Sequence, residues 1–219
     1  MRQKIILALL LFLLLPYGLA LIYPFMRPPS TLMLADIATF HLPKRQWVPL
    51  DRISPQLITA VVTAEDGAFC EHFGIDFKQV GKSIEKAQAR GRAPKGASTI
   101  TQQLVKNLFL WQGRSWLRKA LEVPLTFWLE LTWRKTWILE AYLNVAEWDD
   151  GVYGIETASR HYYGISAASL SAKQAALLAT TLPNPYERNP VRPGPAQAMM
   201  AGQLAFRMQH NAPDLSCIR

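Results

Sequence analysis

An unbroken apolar run near the N-terminus is the feature that most constrains this chain. After the basic start MRQK comes IILALLLFLLLPYGLALIYPF, residues 5–25. A bilayer core requires about 20 apolar residues in a helix, because a helix satisfies its own backbone groups there. The positive charge on the leading side indicates a cytoplasmic N-terminus. We therefore predict one uncleaved transmembrane helix in residues 1–25, a location in the inner (cytoplasmic) membrane, and a periplasmic or extracytoplasmic position for the rest of the chain.

A cleaved signal peptide is the alternative interpretation of this run. Gly18-Leu19-Ala20 resembles a small-x-small cleavage site, and Pro16 lies where an apolar signal region could end. The anchor is favoured because apolar residues continue through Leu21, Ile22 and Phe25. Either interpretation exports the chain, so nucleic acid is not an expected partner.

The remaining sequence predicts one helical domain. Its length gives room for a single core, and from Asp51 onward the apolar spacing is three to four residues, without sustained period-two alternation. Predicted helices cover residues 54–66, 76–90, 98–110, 115–132, 135–146, 151–162, 171–180 and 196–209. The predicted organisation is a linker or juxtamembrane arm at 26–50, which begins in Pro-rich YPFMRPPS, a domain at 51–190 and a C-terminal helical tail at 191–219.

A carboxylate interrupts the first apolar face of this domain. In LITAVVTAEDGAFCEH, residues 57–72, the stripe Leu57, Ile58, Val61 and Val62 leads to Glu65 as its next member. Burying an ionised carboxylate costs several kcal/mol unless a donor or cation compensates it. Glu65 is therefore predicted to be paired or functional.

Positive charge is concentrated in one window. The chain has a formal charge of +8, whereas the window between residues 78 and 119 alone carries +9. Such a concentration indicates an anionic ligand or surface, such as a phosphorylated ligand or lipid headgroups. The ten basic residues of the window are Lys78, Lys82, Lys86, Arg90, Arg92, Lys95, Lys106, Arg114, Arg118 and Lys119.

The sequence argues against a nucleotide-binding loop and a zinc site. GRAPKGAST, residues 91–99, has the glycine spacing of a P-loop, but Ala97 occupies the lysine position and no apolar strand precedes it. The four histidines have no metal-ligand spacing. The two cysteines, Cys70 and Cys217, could form one bridge in an exported domain, but their pairing cannot be inferred from the sequence.

The residues after this loop predict a polar site on a helix. Thr99 and Gln102 fit a capping box that begins a helix. Gln102, Gln103 and Lys106 then lie within about one turn, so two amides and an ammonium group can face the same space. This arrangement favours an anion or sugar site over a plain surface helix.

A second carboxylate lies among cations in RSWLRKALEVP, residues 114–124. Arg118 precedes Glu122 by four residues and Lys119 precedes it by three. A surface ion pair is one interpretation. The other is a carboxylate kept ionised between basic groups, able to bind a divalent metal near a phosphate.

Four motifs in order and spacing resemble those of the peptidoglycan glycosyltransferases, which are the polymerising domains of class A penicillin-binding proteins and their monofunctional relatives. The resemblance covers about residues 51–190, and the absence of room for a transpeptidase domain favours the monofunctional biosynthetic type. The motifs are Glu65-Asp66-x-x-Phe69-x-x-His72-x-Gly74, Gly96-x-Ser98-Thr99-x-x-Gln102-Gln103-x-x-Lys106-Asn107, Arg118-Lys119-x-x-Glu122 and Lys135-x-x-Ile138-Leu139-Glu140-x-Tyr142-Leu143-Asn144.

The resemblance implies a fold and a membrane contact. The fold is mainly α, with a lysozyme-like helical lobe and a hydrophobic region that dips into the membrane. The segment NLFLWQGRSWL, residues 107–117, suits this region, because Phe109, Trp111 and Trp116 are interleaved with Arg114 in a pattern typical of a headgroup interface. Trp128, Trp133 and Trp137 are instead expected in the core.

The resemblance also implies a reaction and its partners. The growing glycan, held on a lipid pyrophosphate, is transferred with inversion to a sugar hydroxyl of lipid II. Other cell-wall synthesis or division proteins are further candidate partners. Glu65 is the expected base, because burial raises a carboxylate pKa toward the working pH. Glu122 is the second catalytic candidate and the candidate ligand of Mg²⁺ or Mn²⁺. The expected substrate- and pyrophosphate-binding residues are Lys82, Ser98, Gln102, Gln103, Lys106, Arg114, Arg118 and Lys119.

Two other functions are compatible with parts of this pattern. A lysozyme-like lobe with two carboxylates could cut glycan, although a hydrolase of neutral glycan needs no cradle for a pyrophosphate. A membrane-tethered scaffold could bind anionic lipid through the basic window, although that role does not explain the position of Glu65.

Overall fold

The computed structural model of the protein describes residues 1–91, 96–113 and 115–219. The described residues form ten α-helices, three short strands and four 3₁₀ turns. The α-helices are α1 Arg2–Ile22, α2 Thr31–Ala38, α3 Pro55–Glu65, α4 Phe77–Ala89, α5 Ile100–Phe109, α6 Trp116–Thr132, α7 Lys135–Val145, α8 Ile155–Tyr163, α9 Ala172–Ala179 and α10 Pro195–His210. The strands are β1 Lys44–Arg45, β2 Glu147–Asp149 and β3 Val152–Tyr153, and the 3₁₀ turns are Tyr23–Phe25, Leu50–Arg52, Ala167–Ser169 and Ser216–Ile218.

The predicted helical class is confirmed, and most predicted helices match observed ones within two residues at each end. Three details differ from the prediction or were not part of it. The helix predicted from residue 151 begins at Ile155, because Val152–Tyr153 pairs as a strand. The predicted linker at 26–50 contains α2. The small sheet escaped prediction because strands of two or three residues are too short to show an alternating pattern.

The helices form two packed groups that meet at the end of α3. In one group α3 packs against α9 and α10; in the other α5 packs against α6 and α7. Helix α10, in the predicted tail, is therefore part of the packed domain. The apolar stripe predicted for α3 is confirmed, since Leu57, Ile58, Val61 and Val62 are all buried. Ser54 lies at the N-cap position of α3, but its hydroxyl donates to the Leu170 carbonyl at 2.8 Å instead of capping the helix.

The small sheet fixes the chain that precedes the domain. Strand β3 lies between β1, to which it is parallel, and β2, to which it is antiparallel. Residue 44 pairs with residue 152 and residue 45 with residue 153. The arm is also held at Asn144, whose side chain bonds both the N–H and the carbonyl of Val48 at 2.8 Å. The arm is therefore built into the domain.

Helix α1 packs against α6 through Trp128 and through Trp133, the residue that follows α6. Trp128 Nε1 donates to the Tyr17 carbonyl at 3.1 Å, and Trp133 Nε1 donates to the Ala20 carbonyl at 2.6 Å. The prediction of core positions holds best for Trp133, which is buried, whereas Trp128 and Trp137 are partly buried against the core.

Over the described ranges, no helix meets the length and apolarity needed to cross a bilayer.

A disulfide joins Cys70 and Cys217, whose pairing could not be inferred from the sequence. Cys70 and Cys217 lie 147 residues apart in the sequence, with their Cα atoms 5.5 Å apart. The bond ties the loop that follows Glu65 to the C-terminal 3₁₀ turn, Ser216–Ile218.

Gly74 lies where no other residue fits without strain. Its φ is +81°, and a Cβ at this position would stand 2.7 Å from Thr126 Cγ2 and 2.9 Å from Glu130 Cγ. Its carbonyl accepts a hydrogen bond of 2.6 Å from the Thr99 hydroxyl. The backbone of this loop therefore lies directly against α6 and the start of α5.

We expect Gly74→Ala to lower the free energy of unfolding by roughly 2–4 kcal/mol, because it combines a left-handed backbone with a steric clash against α6. Thermal or urea unfolding of the purified protein measures this change. Gly81→Ala is the matched control, since no atom lies within 4 Å of its added Cβ in α4. Alanine favours a helix there by up to about 1 kcal/mol. Equal effects of the two substitutions would contradict the assigned role of Gly74.

Candidate active site

Glu65 is the last residue of α3 and points across the junction between the two helix groups. Gln103 of α5 donates its Nε2 hydrogen to Glu65 Oε2 at 2.8 Å. The Tyr142 hydroxyl of α7 in turn donates to Gln103 Oε1 at 3.0 Å. This second bond fixes the orientation of the amide, so its NH₂ end faces the carboxylate.

Burial raises the pKa of Glu65 above its ordinary value. The Gln103 hydrogen bond and the charges of Arg188 and Lys106 lower this pKa, whereas the Asp66 carboxylate raises it further. The desolvation effect is the largest of these, so the net shift is upward. A partly buried carboxylate with a raised pKa suits a general base.

Asp66, the next residue, is buried and holds the surrounding backbone. Its Oδ2 accepts the Ile100 N–H at the start of α5 at 3.0 Å, and its Oδ1 lies 2.8 Å from His72 Nε2. The loop between α3 and α4 and the beginning of α5 are thus joined through one carboxylate. This contact explains a motif in which Asp66 and His72 are spaced by six residues.

The predicted capping box at the start of α5 is confirmed. The Thr99 hydroxyl accepts the Gln102 N–H, and the Gln102 side chain accepts the Thr99 N–H, each at 3.2 Å. The Gln102 side chain is buried and is used in this cap. Gln103, not Gln102, is therefore the glutamine beside Glu65.

Glu122 is buried between two cations. Arg118 Nη1 donates to its Oε2 at 2.9 Å, and Lys119 Nζ donates to its Oε1. Lys119 Nζ also lies 3.3 Å from Ser98 Oγ, which joins α6 to the loop before α5. With an exposure of only 2%, Glu122 is more than the surface ion pair that was one interpretation of the sequence.

Lys106 is electrostatically coupled to both carboxylates. Burial and the neighbouring Arg118 guanidinium lower the pKa of Lys106, and the Glu122 and Glu65 carboxylates oppose this shift. The Lys106 ammonium group is therefore close enough to both the Glu65 and the Glu122 carboxylates for their charges to act on it. It provides positive charge beside Glu65.

The residues around Glu122 do not fit a metal ion held by the chain alone. Both carboxylate oxygens already accept hydrogen bonds from cations, Arg118 and Lys119. Within residues 1–91, 96–113 and 115–219, no three His, Cys, Asp or Glu side chains form a group that could hold a metal ion.

Two cavities lie on either side of the Glu65–Gln103 contact. The first, of about 310 Å³, is lined by Glu65 and by residues of the loop that precedes α5, including Ser98. The second, of about 320 Å³, is lined by Gln103 and Lys106 together with residues of α7 and of the segment 182–186. A ligand that occupies both cavities would pass Glu65.

Two predicted features lie apart from this centre, and a third lies outside the described residues. Lys82 is exposed on α4 and lines neither cavity. The same holds for Lys78 and Lys86, the other residues of the basic window on α4. Arg114 lies outside the described residues, so its predicted role in pyrophosphate binding stays a prediction. Of the aromatic residues expected at the membrane surface, Trp111 and Trp116 are exposed, whereas Phe109 stacks on Tyr23 with ring centroids 5.5 Å apart.

The remaining motif residues have structural contacts. Glu140 accepts hydrogen bonds from Trp47 Nε1 at 3.0 Å and from the Leu50 N–H at 2.9 Å, which holds the arm. Phe69 is fully buried beneath Lys135 Nζ, which lies 4.4 Å from the ring centroid. Gly96 has a φ of +75°, and Asn107 lines the second cavity.

Sequence reasoning missed four residues near the two cavities. Arg188 lies close enough to lower the pKa of Glu65, and Arg207 of α10 lines the first cavity. Glu147 and Tyr186 line the second, where the Tyr186 hydroxyl donates to Glu147 Oε2 at 2.7 Å. Arg188 lies in the LPNPYERNP segment that was recognised without a role. The positions of the other three depend on tertiary packing, which cannot be predicted from periodicity in the sequence.

Comparison with known proteins agrees with the motifs and their geometry. A model of the family described as Transglycosylase matches residues 33–209. The chain is 49% identical over 220 residues to the biosynthetic peptidoglycan transglycosylase of Brucella suis biovar 1 (strain 1330), an alignment that covers 100% of this chain and 96% of that protein. It is 47% identical over 220 residues to the protein of that name from Agrobacterium fabrum, with coverages of 100% and 97%. The corresponding Rhizobium meliloti protein is 46% identical over 219 residues, with coverages of 99% and 92%. The chain therefore belongs to the transglycosylase family.

Proposed function

We propose that this protein is a glycosyltransferase that polymerises peptidoglycan glycan chains for the cell wall. Its substrates are the growing glycan, held on a lipid pyrophosphate, and lipid II, which supplies the accepting sugar hydroxyl. The observation that carries this proposal is the position of Glu65, a carboxylate that accepts from Gln103 and lies near the Lys106 ammonium group. That combination offers a base and a cation to one reacting centre.

The proposed reaction is an inverting displacement at the anomeric carbon of the growing chain. Glu65 takes the proton of the accepting hydroxyl, whose oxygen then forms a bond to that carbon. The bond between the carbon and the pyrophosphate oxygen breaks, and its electron pair leaves with the lipid pyrophosphate. The Gln103 amide keeps the carboxylate of Glu65 oriented for this step through its 2.8 Å hydrogen bond.

Cations stabilise the departing pyrophosphate in this proposal. The charge of Lys106 acts on the base, and Arg118 and Lys119 are held together by the buried Glu122. Negative charge that develops on the leaving group is stabilised by positive charge fixed in advance. Glu122 therefore acts as a positioning residue for Arg118 and Lys119. The predicted Mg²⁺ or Mn²⁺ ion remains a proposal, limited to an ion carried by the pyrophosphate oxygens.

A glycan-cleaving enzyme is the main rival. Cleavage of a sugar–sugar bond needs a carboxylic acid that protonates the leaving oxygen. The cations Arg118 and Lys119, both held at Glu122, fit a pyrophosphate leaving group, which cleavage of a neutral glycan does not have. Incubation of the purified protein with lipid-linked disaccharide separates the two functions, since polymer supports the proposal and shortened preformed glycan supports the rival.

We expect Glu65→Gln to fold normally and to lower the polymerisation rate by roughly 10²–10⁴-fold, the usual contribution of a general base. The substitution keeps the shape of the side chain and removes its basicity. Initial rates on lipid-linked disaccharide measure the loss, with thermal unfolding as the check on folding. Glu85→Gln, on the exposed face of α4, is the control and should retain full activity. Near-normal turnover by Glu65→Gln would show that another group is the base.

We expect Gln103→Leu to move the acidic limb of the pH–rate profile to higher pH. The Gln103 hydrogen bond lowers the pKa of Glu65, so its removal raises that pKa further. A base works only when deprotonated, so activity should be lost at a higher pH as the solution is acidified. Gln88→Leu, on the exposed surface of α4, should leave the profile in place. An acidic limb that stays at its original pH in Gln103→Leu would separate Glu65 from the observed titration.

We also propose that the apolar run at residues 5–25 anchors the protein in the inner (cytoplasmic) membrane, with the catalytic domain on the periplasmic or extracytoplasmic side. The apolar run at residues 5–25 and its basic leading end support this arrangement. Exposed Trp111 and Trp116 form a second candidate contact with the membrane surface. Other cell-wall synthesis or division proteins are proposed as partners on the same membrane.

We expect the mature protein to retain its N-terminal residues and to stay in the membrane fraction after a high-salt wash, because salt screens headgroup attraction but not hydrophobic insertion. N-terminal sequencing and fractionation measure both. A version that begins near Arg27 should leave the membrane fraction in high salt. A mature N-terminus at Leu21 would instead show a cleaved signal peptide.

A further inference from the structure

We infer that the apolar cavity enclosed by α1, α2, α5 and α6 binds the hydrocarbon chain of the pyrophosphate-linked substrate. The inference deepens the proposed function and rests on it for the identity of that substrate. It assigns a separate binding site to the part of the donor that takes no part in the chemistry.

The cavity has a volume of about 240 Å³ and an apolar or aromatic lining throughout. An apolar cavity of about 150 Å³ stays dry and can bind benzene, so this one has room for a short branched piece of hydrocarbon. Its lining residues come from four helices, from the 3₁₀ turn Tyr23–Phe25 and from the short segment after α5. They include Leu19 of α1, Leu34 of α2, Phe109 of α5 and Leu121 of α6.

Two helices, α5 and α2, each contribute residues both to the polar cavity beside Gln103 and to this apolar cavity. On α5, Lys106 lines the polar cavity beside Gln103, and Phe109, three residues later, lines the apolar one. On α2, Leu32 lines the polar cavity and Leu34 the apolar one. Three residues of helix rise by about 4.5 Å, so the two cavities are direct neighbours.

This juxtaposition fits one class of ligand. In a lipid pyrophosphate the hydrocarbon chain is bonded directly to the phosphate group. A phosphate at Lys106 therefore places the first part of the chain beside Phe109. The apolar lining gives water few partners and gives a hydrocarbon chain many.

Leu34 offers a way to fill the cavity with little damage to the core. Its side chain is 52% exposed although it lines the cavity, so a tryptophan at this position can occupy the space from the open side. Ile37 lies on the same helix, is 51% exposed and is not among the residues that line the cavity. Ile37→Trp is therefore the matched control for Leu34→Trp.

The test compares the binding of two probes to the full-length protein in one detergent. The probes are a long-chain isoprenyl pyrophosphate and inorganic pyrophosphate, which lacks the chain. We expect Leu34→Trp to weaken binding of the isoprenyl probe roughly tenfold, equal to about 1.4 kcal/mol, and to leave inorganic pyrophosphate unchanged. Ile37→Trp should change neither dissociation constant.

Two results would overturn the inference. One is a dissociation constant for the isoprenyl probe that is the same in Leu34→Trp and the wild type. The other is equal weakening of both probes, which would mean a disturbed pyrophosphate site. Because these are binding measurements, they fail independently of the polymerisation assay, which tests the proposed function.

A labelling experiment identifies the occupant directly. A photoreactive isoprenyl pyrophosphate should label peptides that contain Leu108–Trp111 or Leu121, and unlabelled isoprenyl pyrophosphate should compete with it. Competition by detergent-dispersed phosphatidylglycerol at the same concentration would assign the cavity to membrane lipid and contradict the inference. Labelling confined to α4 would contradict it as well.

Discussion

The structure depends on one constraint: a single helix, α5, must supply hydrogen-bond donors to two adjacent carboxylates, Glu65 and Asp66. Glu65 and Asp66 end α3, and α5 provides a donor to each: the Gln103 amide to Glu65 and the Ile100 N–H to Asp66. An uncompensated buried carboxylate would cost several kcal/mol, so α3 and α5 must meet in this register for either helix to pack. The Ile100 N–H is one of the backbone donors that a helix leaves free at its start, and the positive end of the helix dipole favours an anion there.

A set of buried polar contacts extends this constraint to α6 and α7. The Thr101 hydroxyl, one residue after Ile100, donates to Glu130 of α6 at 2.5 Å, and Glu130 is paired with Lys135 of α7 at 2.8 Å. The Lys135 ammonium group also donates to the His72 carbonyl at 3.0 Å. This bond connects the set of contacts to the loop that follows Asp66. Loss of one member would leave buried polar groups unsatisfied, so the contacts support one arrangement of the helices. The same arrangement brings the charge of Glu122 on α6 close enough to act on Lys106 of α5.

The sequence predicted this centre well where its signals were local. Helix periodicity placed Glu65 on a buried face, and the Thr99–Gln102 spacing predicted the capping box that the structure contains. The same local reasoning could not separate Gln102 from Gln103, because adjacent residues differ only in the direction that packing gives them. Arg207 was also not predicted, because the sequence of a helix does not show which cavity the folded helix lines. The Cys70–Cys217 bond has the same character, because its two ends are brought together only by the fold.

The order of groups along α5 links the constraint to the chemistry. Ile100, Gln103, Lys106 and Phe109 recur every third residue and rise by about 4.5 Å at each step. Ile100 holds the loop through Asp66, Gln103 donates to Glu65, the proposed base, Lys106 is the proposed source of positive charge, and Phe109 lines the apolar cavity. A lipid-linked donor presents its reacting sugar carbon, its pyrophosphate and its hydrocarbon chain in this same sequence. The helix that neutralises the two carboxylates is thus also the one along which such a donor would align, so the contacts that stabilise the fold would also set the position of the leaving group relative to Glu65.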